Sequence, residues 1–169
     1  MDNYIFRKAN HDDVNFLTKM RMEVIKKAND LDENEDMDTI FTETQKYYAN
    51  YFDDTNHITY LAFDGDIFIG CGSICFYTIM PTYKNQIGKK AHIMNLYTKE
   101  NYRRKGIGTN ILGLLIKEAN DRDIKQIQIE TTEIGRYLYK KYGFVEMNNE
   151  MELRVSLANR LLSCLSLSQ

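Results

Sequence analysis

The run Tyr102-Arg103-Arg104-Lys105-Gly106-Ile107-Gly108-Thr109 has the residue types and spacing to hold an anion. Gly106 and Gly108 remove side chains where backbone must come close to a ligand. Ile107, Ile111, Leu114, Leu115 and Ala119 recur at helical spacing, so a helix opens within this run. The first N–H groups of a helix have no internal partner, and they carry the positive end of its dipole. Arg103, Arg104 and Lys105 add fixed positive charge. The chemistry implied is capture of a diphosphate over a helix start. A Walker loop requires Gly-Lys-Ser/Thr, and that triplet is absent. A dinucleotide fingerprint requires a small residue where Ile111 stands, and the run does not follow the first strand of a βαβ array.

Elements on both sides must position this run. Residues 3–7 read as a first strand, and Val14, Leu17, Met20 and Val24 place a helix over about 11–28. The acidic stretch NDLDENEDMD reads as a loop, followed by a second helix over about 39–52. Residues 57–64 and 66–79 are rich in Ile, Tyr and Phe, and Asp64-Gly65-Asp66 between them signals a hairpin. A polar loop covers 81–90 and a strand 91–98. The helix of about 106–121 comes next, then a strand at 125–131 and a short helix at 133–142. Phe144–Met147 and Met151–Arg154 are expected to form a last hairpin. The strand–helix–strand unit implies a parallel pair. The expected class is α/β (α+β): a mixed, mostly antiparallel central sheet flanked by helices.

Composition narrows the function. Of 169 residues, 43% are hydrophobic and 27% charged, which fits one globular domain. A formal net charge of -2 gives no general attraction for nucleic acid or an anionic membrane. No secretory signal and no apolar run of about 18 residues is visible, so a cytoplasmic location is expected. Three cysteines do not suggest a disulfide framework. Asp30, Asp32, Asn34 and Asp36 alternate like a calcium loop, but Glu35 and Phe41 stand where Gly and a bidentate Glu are needed. Cys71 and Cys75 lie too far apart along a strand to share a zinc ion with His57 or His92. No metal is expected.

The wider context carries a resemblance. Asn95-Leu96-Tyr97-Thr98 ends the strand before the basic loop, and Leu138-Tyr139-Lys140-Lys141-Tyr142-Gly143-Phe144 follows the later strand. The chain resembles the GNAT superfamily of N-acetyltransferases. YRRKGIG is similar to that family's pyrophosphate motif, and LYKKYGF to its Leu-Tyr-x-Lys-x-Gly-Phe segment. NLYT and NEMEL at 149–153 are similar to a bacterial-type branch. The resemblance covers residues 3–154. It implies one GNAT domain over 1–154, with splayed fourth and fifth strands, and leaves 155–169 as a tail without an assigned role. It further implies acetyl-CoA as co-substrate and transfer of its acetyl group to a primary amine of a small molecule by direct attack. Dimerisation is common in the family, and a homodimer is one expectation.

Carried over residue by residue, the resemblance gives the pantetheine arm the backbone of Leu96, Tyr97 and Thr98. It gives the diphosphate the loop Arg103, Arg104, Lys105, Gly106, Ile107, Gly108 and Thr109, with Arg103 free to brace the loop as well as touch ligand. Thr132 stands where the family often has an Asn toward the pantetheine. Tyr139 occupies the general-acid position, and a phenol with a pKa of about 10 can reprotonate a thiolate whose thiol lies near about 8.5. Backbone N–H around Leu96 is a candidate oxyanion donor. No base is identified. Glu23, Asn95 and Glu130 are the candidates on the acceptor side, with His92 a further one by charge type, and Asn95 can position a water but not take a proton. Cys71 and Cys75 are expected as small buried residues rather than activated thiols. The acidic loop at 30–36 is a candidate border of the acceptor site that favours cationic amines. Two alternatives stay open: acetylation of protein lysine or N-terminal amines, and a non-catalytic acyl-CoA sensor.

Overall fold

The computed structural model describes residues 3–51, 55–147 and 151. The chain divides into two compact units, Met1–Ile134 and Gly135–Gln169. The first holds a five-stranded sheet in the order β1-β2-β3-β4-β5. These strands are β1 (Ile5–Lys8), β2 (His57–Asp64), β3 (Ile67–Thr78), β4 (Lys89–Thr98) and β5 (Ile127–Ile129). Three helices belong to the same unit: α1 (Val14–Ala28), α2 (Asp38–Tyr51) and α3 (Ile107–Asn120). β1 to β4 pair antiparallel, and β4 and β5 pair parallel. The mixed, mostly antiparallel sheet is the one expected from the sequence.

The entry to α1 is fixed locally. Asp13 accepts from the Asn10 backbone N–H at 2.8 Å, and Asn10 accepts from that of Asp12 at 3.0 Å. This is a capping box on a short 3-10 turn, His11–Asp13. Both Asp13 oxygens also accept from the Arg7 guanidinium at 2.7 Å, tying β1 to the helix start. The Asp64-Gly65-Asp66 turn forms as expected, with Gly65 at φ +57°.

β3 is buried on both faces, which explains its long apolar run. Leu17 of α1 and Tyr48 of α2 pack with Leu61, Phe68, Cys71 and Tyr97 on one face. On the other, α3 buries Ile107, Ile111, Leu112, Leu115 and Ala119. A Cβ on Gly70 would sit 2.7 Å from the Tyr97 carbonyl oxygen of β4 and 3.3 Å from Ile107 Cγ2 of α3. One on Gly72 would sit 2.6 Å from Ile111 Cγ2 and 2.9 Å from Leu96 Cδ1. Polar groups seal the edge of this layer: Glu118 binds Lys8, Tyr60 and Arg122 at 2.5, 2.8 and 2.9 Å. Burial resists ionisation of Glu118, but these partners outweigh it and hold its pKa down at about 2.

Four details depart from the sequence reading. β4 starts at Lys89, two residues early. Residues Glu100–Tyr102 form a 3-10 turn within the basic loop. β5 covers only Ile127–Ile129, because its ladder with β4 stops at the Ile93–Ile129 pair. Residues 144–147 are not a strand. Phe144 instead closes the end of α4 (Glu133–Tyr142): its N–H bonds Tyr139 O at 3.0 Å while the Gly143 N–H bonds Lys140 O at 3.1 Å. Gly143 at φ +106° completes a Schellman-type stop. The rest of the expected hairpin and the 155–169 tail lie outside the described residues, apart from Met151. In the second unit, Glu146 also pairs with Arg136 and Lys140 at 3.0 and 2.8 Å. Among the described residues, no helix is long and apolar enough to cross a membrane.

Candidate active site

β4 holds the centre of the site. Its register with β3 jumps between the pairs Ser73–Met94 and Cys71–Tyr97, so Gly72 faces both Asn95 and Leu96. Asn95 takes φ +56° to accommodate this bulge. Past Ile93 the strand continues to Thr98 with β3 on one side and no β5 pairing on the other. The stretch from Met94 to Thr98 is thus an open strand edge inside the fold, suited to an extended amide ligand.

The basic loop follows directly. Arg104 sits at φ +62° and Gly106 at φ +84°. Nothing lies within 3.9 Å of a Cβ built on Gly106, so glycine is required there for its backbone angle, not for space. Gly106 is the N-cap of α3 and supplies no capping side chain. No described residue accepts from the N–H groups of Ile107, Gly108 or Thr109. The N-terminus of a 14-residue helix is thereby left open, with Arg104 and Lys105 exposed beside it. Arg103 turns back to donate to Thr98 O at 3.3 Å and faces Glu100 at 3.9 Å, the bracing role allowed for it above. Thr132 is exposed between β5 and α4.

The residues present fit an acyl-CoA: uncapped amides with exposed Arg104 and with Lys105, whose ammonium lies 5.0 Å from the Tyr102 ring centroid, for a diphosphate, leading onto an open edge for the arm. The comparisons with known proteins agree. Residues 25–144 match the family model described as "Acetyltransferase (GNAT) family". The chain belongs to the GNAT acetyltransferase family. It is 30% identical to a predicted acetyltransferase of Clostridium acetobutylicum solved with acetyl-CoA, over 90% of this chain and 97% of that one, with a TM-score of 0.83. A GCN5-related N-acetyltransferase from Ralstonia eutropha shares the fold at 18% identity, over 90% and 99% of the two chains, with a TM-score of 0.73. So does an aminoglycoside N-acetyltransferase in complex with CoA, at 10% identity, over 90% and 94%, with a TM-score of 0.69. No curated protein matches the sequence. Acetyl-CoA, the donor of GNAT acetyltransferases, is the co-substrate.

A cavity of about 360 Å³ opens on the α1/α2 side of the bulge. Its wall includes Arg21, Ile40, Tyr47, His57, Met94 and Asn95. Asn95 is the one acceptor-side candidate from the sequence that lines it. Glu23 instead faces Lys27 at 3.0 Å and the Tyr97 hydroxyl at 3.4 Å, and Glu130 is exposed just beyond β5. The acidic loop does not line the cavity either: Asp32 and Asp36 accept backbone N–H groups of Asn34 and Asp38 at 2.8 and 2.9 Å, which is turn chemistry. His92 is a strand residue opposite Gln128.

Behind the cavity runs a buried polar chain missed by sequence reasoning. The Tyr47 hydroxyl lies 3.1 Å from His57 Nδ1 and 3.0 Å from Cys75 Sγ. His57 Nε2 meets the Thr59 hydroxyl at 2.9 Å, which meets that of Ser73 at 2.7 Å. Burial pushes His57 down to about 4, so it is neutral at pH 7, and pushes the Cys71 thiol up to about 12. Cys71 is fully buried and Cys75 only partly so. In the second unit Tyr139 is buried, with its ring 6.0 Å from that of Phe144, and burial raises its pKa.

Proposed function

We propose that this protein transfers the acetyl group of acetyl-CoA to the primary amine of a small molecule by direct attack in a ternary complex. The observation that carries this reading is the bulge at Asn95–Leu96. One flank is the open β4 edge leading to the uncapped start of α3, and the other is a cavity sized for a small amine. Bound acetyl-CoA supplies an acyl thioester, whose C–S bond breaks as the amine forms its C–N bond.

Each group of the chain has a part in this reading. Ile107, Gly108 and Thr109 N–H groups, with Arg104 and Lys105, hold the diphosphate, while Arg103 fixes the loop onto β4. Leu96, Tyr97 and Thr98 pair with the pantetheine arm, helped by Thr132. The Leu96 N–H is the donor this reading assigns to charge developing on the thioester oxygen. Tyr139 returns a proton to the departing sulfur. Its raised pKa keeps that proton in place at neutral pH, as a donor requires. The amine's own proton leaves through water held at Asn95. Cys71, with its pKa raised to about 12, is no nucleophile, which supports direct attack over an acyl-enzyme.

The test is thiol release from acetyl-CoA against a panel of small primary amines, with lysine peptides alongside. Acetylation of a small amine is expected. Turnover confined to peptides would move the assignment to protein acetylation. Tight acetyl-CoA binding with no thiol released by any acceptor would replace it with a sensor.

A further inference from the structure

The charge inside the acceptor cavity is unbalanced. Arg21 projects from α1 on the same helical stripe as the buried Leu17, partly buried in the cavity wall. Its hydrogen bond is to the Asn95 side-chain oxygen at 3.2 Å, and among the described residues it forms no ion pair. Glu43, the cavity's carboxylate, lies at the exposed rim and is paired with Lys46 at 2.7 Å. Burial pushes Tyr48, Cys71 and Cys75 up, and the Arg21 charge pulls each of them back toward ionisation. The guanidinium therefore projects a positive field into a space walled by Ile40, Tyr47, Tyr48 and Met94.

A guanidinium drawn partly out of water without an anion is unfavourable, and its planar fork matches carboxylate and phosphate oxygens. Asn95 uses only one of the five N–H donors of this group. We propose that Arg21 is the specificity residue of the acceptor site and binds an anionic group, carboxylate or phosphonate-like, carried by the amine substrate. The inference rests on the acetyl-transfer reading of this site. Its geometry also limits the spacing. Asn95 occupies the bulge beside the open β4 edge, so an anion on Arg21 lies near the place of attack. Amine and anion are then only a few bonds apart, and the apolar wall takes an aliphatic or aromatic side chain. An apolar α-amino acid, or its phosphonate isostere, has this shape.

Three matched probes test it: L-leucine, 1-amino-3-methylbutylphosphonic acid and L-leucinamide. Leucinamide keeps the size of leucine without its charge, and its less basic amine is the more readily neutral, so a preference for leucine cannot come from the amine. Binding is measured by calorimetry with CoA present, and turnover by thiol release. The anionic probes are expected to bind at least about tenfold more tightly than leucinamide. Which of the two is preferred tells carboxylate from phosphonate. Arg21→Gln should abolish the preference and raise the acceptor KM, leaving the KM for acetyl-CoA unchanged. Arg21→Lys should keep part of it, and melting curves establish that both variants fold. Equal or better binding of leucinamide overturns the proposal. So does an anion preference that survives Arg21→Gln, or a loss confined to acetyl-CoA affinity. Arg21-dependent binding of leucine, with no thiol released by any amine of the panel, upholds the anion site and refutes the transfer reading instead.

Discussion

Replacing Gly72 with alanine adds one methyl group at the tightest contact between α3 and the sheet. That carbon would lie 2.6 Å from Ile111 Cγ2, 2.9 Å from Leu96 Cδ1 and 3.1 Å from Leu115 Cδ1. Carbon atoms pack at about 3.5–4.0 Å, so the overlap with Ile111 is about 1 Å. Ile111 and Leu115 are fully buried and cannot swing into solvent. The strand itself prefers alanine to glycine by about 0.5–1 kcal/mol. Overpacking of a tight core costs about 1–3 kcal/mol and outweighs that preference. With a net loss of about 1–2 kcal/mol, a chain of this size should melt about 2–8 °C lower. The same methyl group presses on Leu96, so acetyl-CoA affinity measured by calorimetry should fall as well. Gly65→Ala is the control: it is strained at φ +57° but meets nothing within 4 Å, so it costs stability without touching acetyl-CoA binding. A Gly72→Ala protein that melts and binds as the parent does would refute the close approach of α3.

Glu118→Gln should destabilise the fold by about 2 kcal/mol at neutral pH, by removing the carboxylate that Lys8, Tyr60 and Arg122 share. Because the folded pKa lies near 2, below the free value of 4.5, the deficit is full above about pH 4.5 and shrinks as pH falls toward 2. Urea unfolding at several pH values checks it, and a deficit that grows in acid would contradict the sign. Tyr139→Phe should lower kcat about tenfold or more while acetyl-CoA affinity stays near its starting value; unchanged turnover removes the phenol from the mechanism. Toward a maleimide reagent, native Cys71 should stay unlabelled while Cys75 reacts slowly, and rapid native labelling of Cys71, read by peptide mass, would contradict its burial.

Elements with local signals were legible in the sequence. The β2–β3 turn follows from Asp64-Gly65-Asp66, and α3 follows from the stripe running from Ile107 to Ala119. The loop proposed to bind phosphate is contiguous, so its glycines and cations stand together in the chain as they do in space. The alternation in KQIQIET predicts a longer strand than β5, because alternation reports a strand's tendency, while its end is set by where pairing with β4 stops. Phe144 looks like a strand residue, but its N–H is already used to stop α4. The cavity proposed for the acceptor draws on Arg21, Tyr47, His57, Ser73 and Asn95, which only the fold brings together. Arg21 did leave a trace, a cation four residues after Leu17 on an otherwise apolar stripe. The neutrality of His57 left none, since it arises from burial alone.

The extra residue opposite Gly72 also divides labour between layers. Asn95 turns its side chain toward α1 and α2, whereas Leu96 reaches across to the Gly72–Ile111 contact. On the proposed reading, acceptor recognition then falls to the first two helices, and grip on the nucleotide to α3 and its loop. On that reading, mutations that remodel α1 or α2 should retune which acceptor is taken without disturbing how the donor is held. Deleting either residue of the pair would straighten β4 and disturb both halves at once.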